Sequence, residues 1–140
     1  NWHYENSGFI YEPAFLISEK HPELKILVME DANPDFTADR QHAIWPDGFP
    51  GLALEHAAVI ETSLLLHHAP HLVRPEHIKA DSPERVVNYD VLPIDTRMST
   101  ASGTLSSPEA ASAEKGKMLT EWMVDRLVAI LDEEFGDRRS

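Results

Sequence analysis

The run Leu24-Lys25-Ile26-Leu27-Val28-Met29 constrains this chain more than any other feature. It follows the turn His21-Pro22-Glu23, and every side chain in it except Lys25 is apolar. A short, nearly continuous apolar segment bounded by turn residues suits a strand buried on both faces, as in a parallel sheet. Such a strand needs a neighbour on each side to satisfy its backbone donors and acceptors. The rest of the chain offers only Arg85-Val86-Val87-Asn88-Tyr89 as a short extended piece. The expectation is therefore an α/β unit represented by its C-terminal portion, with the earlier strands lying before Asn1 or on another chain.

Around this strand the apolar spacing predicts three helices. The first covers residues 8–17, with Phe9, Ile10, Phe15, Leu16 and Ile17 apolar and Pro13 inside it. Residues 31–50 read as loop, holding Asn33-Pro34, Pro46-Asp47-Gly48 and Pro50-Gly51. The second helix covers residues 52–69 and is stopped by Pro70. Proline at 75, 83 and 93 punctuates the stretch that follows. Ser107-Pro108-Glu109 reads as the start of the last helix, with Ser107 as N-cap and Pro108 at the first helical position. That helix reaches about Phe135 and repeats Leu119, Met123, Leu127, Ile130 and Leu131 on one face.

Length and charge narrow the function classes. The 140 residues suit a single domain, here the portion 1–140 of one. With 12 basic and 24 acidic side chains, the formal charge is −12. That balance argues against nucleic acid or an anionic membrane as partner, because phosphate binding needs clustered Lys and Arg. No apolar run approaches the roughly 20 residues of a bilayer span, and no secretory leader opens the chain. The absence of cysteine excludes disulfides, zinc thiolate sites and a Cys nucleophile. A cytoplasmic domain is expected, with eight histidines as its main chemical signal.

Two places combine imidazole with carboxylate. His3 and Glu5 lie two residues apart, just before the first helix. If a strand precedes Asn1, they occupy the carboxyl end of a strand, where α/β sheets place their sites. Imidazole plus carboxylate suits zinc or manganese, although two ligands do not complete a centre and a polar turn is the plainer reading. Glu55-His56 is the second place, and the order of residues excludes a His-Glu-x-x-His zinc site. His56 suits either a proton shuttle near neutral pH or a partly buried histidine bonded to a backbone carbonyl. On a continuous helix Glu61 would sit about 140° around from His56, so it is expected to orient a loop or make an interface contact. His67, His68, His71 and His77 form the densest histidine group. Pro70 interrupts the i, i+4 stacking of His67 with His71, which favours a solvated helix end over a metal site.

Three blocks together carry a resemblance. Asn1-Trp2-His3-Tyr4-Glu5-Asn6 resembles the Asn-Gly-His-Tyr-Glu-Asn signature of the creatininase family. Glu55-His56 with Glu61-Thr62-Ser63 is similar to a second block. Gly103-Thr104-Leu105-Ser106-Ser107, with Ala111-Ser112 and Glu114-Lys115-Gly116, is similar to a third. The blocks agree in order and spacing with the family's C-terminal portion.

The resemblance implies an α/β/α layered fold, assembled as a homohexamer, that opens cyclic amides with a dinuclear zinc or manganese centre. It implies that His3 binds one ion and that Glu5 binds the other, close to the attacking water. His56 would carry a proton to the leaving nitrogen, supported by Glu55, and Tyr4 would line the substrate pocket. The remaining ligands belong to the N-terminal part of the same fold, which becomes an obligate partner. Departures bear on substrate. Trp2 replaces the signature glycine and places a large ring beside the pocket, while Leu52 and Ala53 replace a Trp-Asp pair used on creatinine. A relative that opens another ring, lactam or carbocyclic ketone, is one alternative; a non-catalytic C-terminal fragment or assembly subunit is the other.

Overall fold

The computed structural model describes residues 6–29, 33–87, 89 and 91–136. Trp2, His3, Tyr4 and Glu5 lie outside the described residues, as does Asn88. Four α-helices order the chain: α1 Ser7–Lys20, α2 Ala38–Ile44, α3 Val59–His68 and α4 Ala113–Phe135. Single 3-10 turns stand at Leu52–Leu54, Pro70–Leu72, Pro75–His77 and Thr96–Met98. The chain divides into two compact units, Asn1–Pro34 with Met123–Ser140, and Asp35–Trp122. The boundary falls inside α4. No helix among the described residues is long and apolar enough to cross a membrane.

In the first unit α1 forms where expected and continues through Pro13 to Lys20. None of its described residues is buried, and Phe9 is 82% exposed. The segment 24–29 departs from expectation. No strand occurs among the described residues, and Leu24 is 51% exposed rather than buried on both faces. Its apolar composition is real, but a ladder is a non-local structure, and no described segment of this chain supplies one. The expected extended piece at residues 85–89 likewise makes no ladder; Arg85 instead donates to Asp95 Oδ2 at 2.8 Å.

The second unit holds most of the core. α2 was not expected: it forms inside the stretch read as loop, where Thr37 accepts from the Arg40 amide at its start. Its end delivers Ile44 and Trp45 into the interior, and Trp45 packs against Phe36 and Phe49 with centroids 5.1 and 4.4 Å apart. Ala58, Val59 and Ile60 complete this core with Leu119 from α4.

Two helix boundaries also move. The helix expected over 52–69 is broken: a 3-10 turn ends at Leu54, and α3 begins only at Val59. The last helix begins at Ala113 rather than after Ser107. Ser107 Oγ accepts from the Glu109 amide in a local turn, while Ser112 Oγ accepts from the Lys115 amide three residues on, the N-cap geometry. Serine and proline at 107 and 108 satisfy a turn as well as a cap, which is why sequence alone misplaces the start. Along α4 Leu119 and Met123 are buried, whereas Leu131 is largely exposed.

A candidate active-site loop around His56

The break between Leu54 and Val59 presents His56, and each neighbouring side chain helps to fix it. Glu55 turns inward. Its Oε1 accepts from Trp45 Nε1 at 2.7 Å and its Oε2 from the Ile60 amide at 2.9 Å. The Ile60 amide is one of the orphan donors at the start of α3, so Glu55 caps that helix and favours its dipole. Burial nonetheless dominates and holds the Glu55 carboxyl above the usual carboxylate range; the bonds from Ile60 and Trp45 oppose the shift, and Glu61 adds to it.

Ala57 adopts φ +51°, a left-handed conformation that a side chain normally avoids. Its amide donates to the Glu61 carboxylate, one turn into α3. Glu61 therefore orients the loop, one of the two roles expected of it, though not for the reason given by helical spacing. The 140° helical separation does not apply, because His56 precedes the helix rather than lying on it.

The opposite wall of the loop comes from the third block. Leu105 N donates to the His56 carbonyl at 3.1 Å, and Ser106 Oγ donates to the Leu54 carbonyl at 2.9 Å. The Thr104 hydroxyl lies within bonding distance of the Ser106 carbonyl and of His56 O, the latter at 3.3 Å. Thr104 itself is 3% exposed. Gly103, at φ +86°, makes the turn into this segment, and its amide donates to Thr100 Oγ1 at 3.0 Å. Thr100 Oγ1 in turn donates to the Thr104 carbonyl at 2.7 Å.

Beneath the loop, α3 and α4 pass at backbone contact. A Cβ on Gly116 would lie 2.0 Å from the Ser63 carbonyl oxygen. Ser63, fully buried, accepts from the Ser112 amide at 3.2 Å. Lys115 Nζ donates to the carbonyls of Ile44 and Ala110 at 2.6 and 2.7 Å, tying the end of α2 to the start of α4. Burial lowers the pKa of its ammonium.

His56 is exposed on this framework. Its expected partners His3, Glu5, Tyr4 and Trp2 fall outside the described residues. Among the described residues no three His, Asp or Glu side chains converge on a common point. In the histidine group, His68 Nε2 is hydrogen-bonded to Thr120 Oγ1 at 2.8 Å, and its ring stands 4.7 Å from that of His67. A cleft of ≈ 550 Å³ borders the loop at Ala57, Glu61 and Thr104, and its further lining mixes apolar Leu65 and Ile78 with basic Arg74, His77 and Lys79.

Sequence reasoning missed Trp45 as the partner of Glu55 and gave Ser106 no task beyond its place in the third block. A glycine followed by three residues with backbone-bonding potential was the available signal for the clasp at 104–106. Nothing in the sequence paired Trp45 with Glu55.

The family profile described as creatinine amidohydrolase matches residues 1–131. The creatinine amidohydrolase of Pseudomonas putida is 37% identical over 143 residues, covering 96% of this chain and 54% of that protein. Among solved structures, a manganese form of creatininase is similar with a TM-score of 0.83 and 36% identity, over 95% of this chain and 54% of the other. A glutamate-to-glutamine mutant creatininase of Zn-Zn type is similar with a TM-score of 0.83 and 35% identity, over the same shares of 95% and 54%. The chain spans about half the length of the relatives it matches.

Proposed function

Because the chain belongs to the creatininase family, we propose that residues 1–140 form the C-terminal portion of one α/β/α layered domain that hydrolyses a cyclic amide. The observation that carries this reading is an exposed imidazole at position 56 on a helix break held by hydrogen bonds. Its supports come from the second and third blocks of family resemblance and from Trp45.

His3 and Glu5 bind a dinuclear zinc or manganese centre in this proposal. Imidazole and carboxylate donors fit either metal, and similar solved structures include manganese and Zn-Zn forms. Two donors are too few for two ions, and the described residues contain no further cluster of three. In this reading the N-terminal part of the fold supplies the rest, along with the strands that would flank residues 24–29. When bound, the ions polarise the amide carbonyl and bring the pKa of the attacking water toward neutrality.

The chain's own residues do the remaining work. Glu5 orients the attacking water and accepts its proton. His56 delivers a proton to the departing nitrogen, without which an amine leaves poorly at neutral pH. Glu55 supports the loop through Trp45 and Ile60 and does not touch substrate. Tyr4, Trp2 and His56 contact the ring. The assembly is a cytoplasmic homohexamer in this reading.

Leu52 and Ala53 favour a ring other than creatinine. Both are exposed on the turn that leads into Glu55, where an apolar pair replaces indole and carboxylate. A lactam with a less polar face, or a carbocyclic ketone, suits that surface better.

The test is a ring-opening assay on creatinine, other lactams and cyclic ketones, using metal-loaded protein that includes the N-terminal part of the fold. His56→Ala is expected to cut turnover by about 10²- to 10⁴-fold with metal content near normal. Glu5→Gln is expected to lower both metal content and rate. Metal loss in His56→Ala, or ring opening untouched by it, would contradict the shuttle role. A metal-free complex with no activity would favour the assembly-subunit alternative.

A further inference from the structure

The clasp on the His56 carbonyl has a chemical consequence. Loop 55–57 exposes its imidazole and holds Ala57 in a left-handed conformation, which persists only where the surroundings impose it. Definition comes from outside. Glu55 and Glu61 fix the loop from the α2 and α3 sides, through Trp45 and the amides of Ile60 and Ala57. On the remaining side, Thr104-Leu105-Ser106 reaches the backbone just before and just after Glu55, at Leu54 O and His56 O.

We infer that Thr104 and Ser106 are positioning residues for His56. The Thr104 hydroxyl closes the turn onto Ser106 O, which holds the Leu105 amide against the His56 carbonyl. Ser106 Oγ holds the Leu54 carbonyl, so the segment 54–56 is pinned at both ends, before Glu55 and after His56. Both hydroxyls bond backbone carbonyls rather than the imidazole, and they act by setting where the ring stands. Displacement of a proton donor by about 1 Å is enough to cost 10²-fold in rate. Gly103 and Thr100 belong to the same device, because they form the turn that delivers Thr104. The inference rests on the shuttle role proposed for His56, and its test separates the two.

Thr104→Val and Ser106→Ala are made in the metal-loaded protein that includes the N-terminal part, alone and combined with His56→Ala. Each single variant is expected to lower kcat about 10- to 100-fold with KM within about twofold and metal content unchanged. Thr104→Ser, which keeps the hydroxyl, is expected to recover kcat to within about threefold. On the His56→Ala background, Thr104→Val and Ser106→Ala are expected to add nothing, since a positioning effect vanishes with the group it positions. A loss of equal size on both backgrounds overturns the inference, as does a kcat within twofold of the parent in both single variants. If Thr104→Val does not fold, Ser106→Ala alone decides by the same criteria. His56→Ala with full turnover would instead overturn the shuttle role itself, whereas an impaired His56→Ala beside unimpaired clasp variants overturns only this inference.

Discussion

Trp45 Nε1 donates to Glu55 Oε1 at 2.7 Å, joining the end of α2 to the carboxylate that caps α3. The two lie ten positions apart, and the intervening segment passes through Pro46, Gly48, Pro50 and Gly51. The bond closes that segment into a defined approach to His56. Replacing the indole by phenyl keeps an aromatic ring against Phe36 and Phe49 but leaves Glu55 Oε1 half-buried without its donor. Trp45→Phe is expected to cost about 1–3 kcal/mol of stability, the usual penalty for a polar atom stripped of its partner. Urea denaturation checks it: the midpoint falls at constant slope. An unchanged midpoint would mean that the pair contributes nothing.

The same carboxylate gives stability a pH dependence of defined sign. Burial raises the Glu55 pKa in the folded protein above its unfolded value, which is about 4.3. The folded state therefore holds its proton more tightly than the unfolded chain does. Its contribution is most favourable with the proton bound and declines as pH rises from the unfolded pKa through the raised folded one. Glu55→Gln removes this titration. Stability curves of parent and variant between pH 4 and 8 are expected to shift relative to each other in favour of the variant as pH rises, then run parallel. The carboxyls with lowered pKa, Asp81 and Glu114 among them, act in the opposite direction but are common to both proteins. Curves parallel throughout would show that Glu55 titrates normally.

Gly116 offers a case in which two effects oppose each other and magnitude decides. Alanine is favoured over glycine inside a helix by about 1 kcal/mol. At Gly116, however, the new methyl would stand 2.0 Å from Ser63 O and 2.7 Å from His67 Cβ, so α3 and α4 would have to separate. Overpacking of this kind typically costs about 1–3 kcal/mol, more when backbone must move. Gly116→Ala is expected to be net destabilising, with a lower Tm. Gly8→Ala in α1, where nothing lies within 4 Å of the added carbon, is expected to be neutral or slightly stabilising. A Tm for Gly116→Ala at or above the parent's would show that the helices do not meet there.

What could be read in advance follows the range of the interaction responsible. α1 and the end of α4 at Phe135 were legible because helical bonds span four residues and apolar spacing reports them locally. α2 was not, since its flanking Asn-Pro and Pro-Asp-Gly turns dominate the composition of residues 31–50. The break at Glu55 was hidden for another reason. Apolar residues continue at helical spacing across it, while its cause lies in Trp45, Glu61 and residues 104–106. Of the candidate site, His56 and Glu55 were named from the chain itself together with the resemblance. The clasp that holds them was visible only as a matching block without a task.

The sequence alone determined the family, through three ordered blocks, and the residue types available for chemistry: imidazole and carboxylate, with no thiol. Tertiary structure decided what each block is for. It turned Glu55 inward as a cap, left His56 outward at a helix break, and put the Thr104-Leu105-Ser106 hydroxyls and amide on the carbonyls beside it. The reason is physical. Side-chain chemistry is fixed residue by residue, but the direction in which a side chain points depends on hydrogen bonds whose partners lie up to about fifty positions away, as Ser106 and Leu54 do across 52.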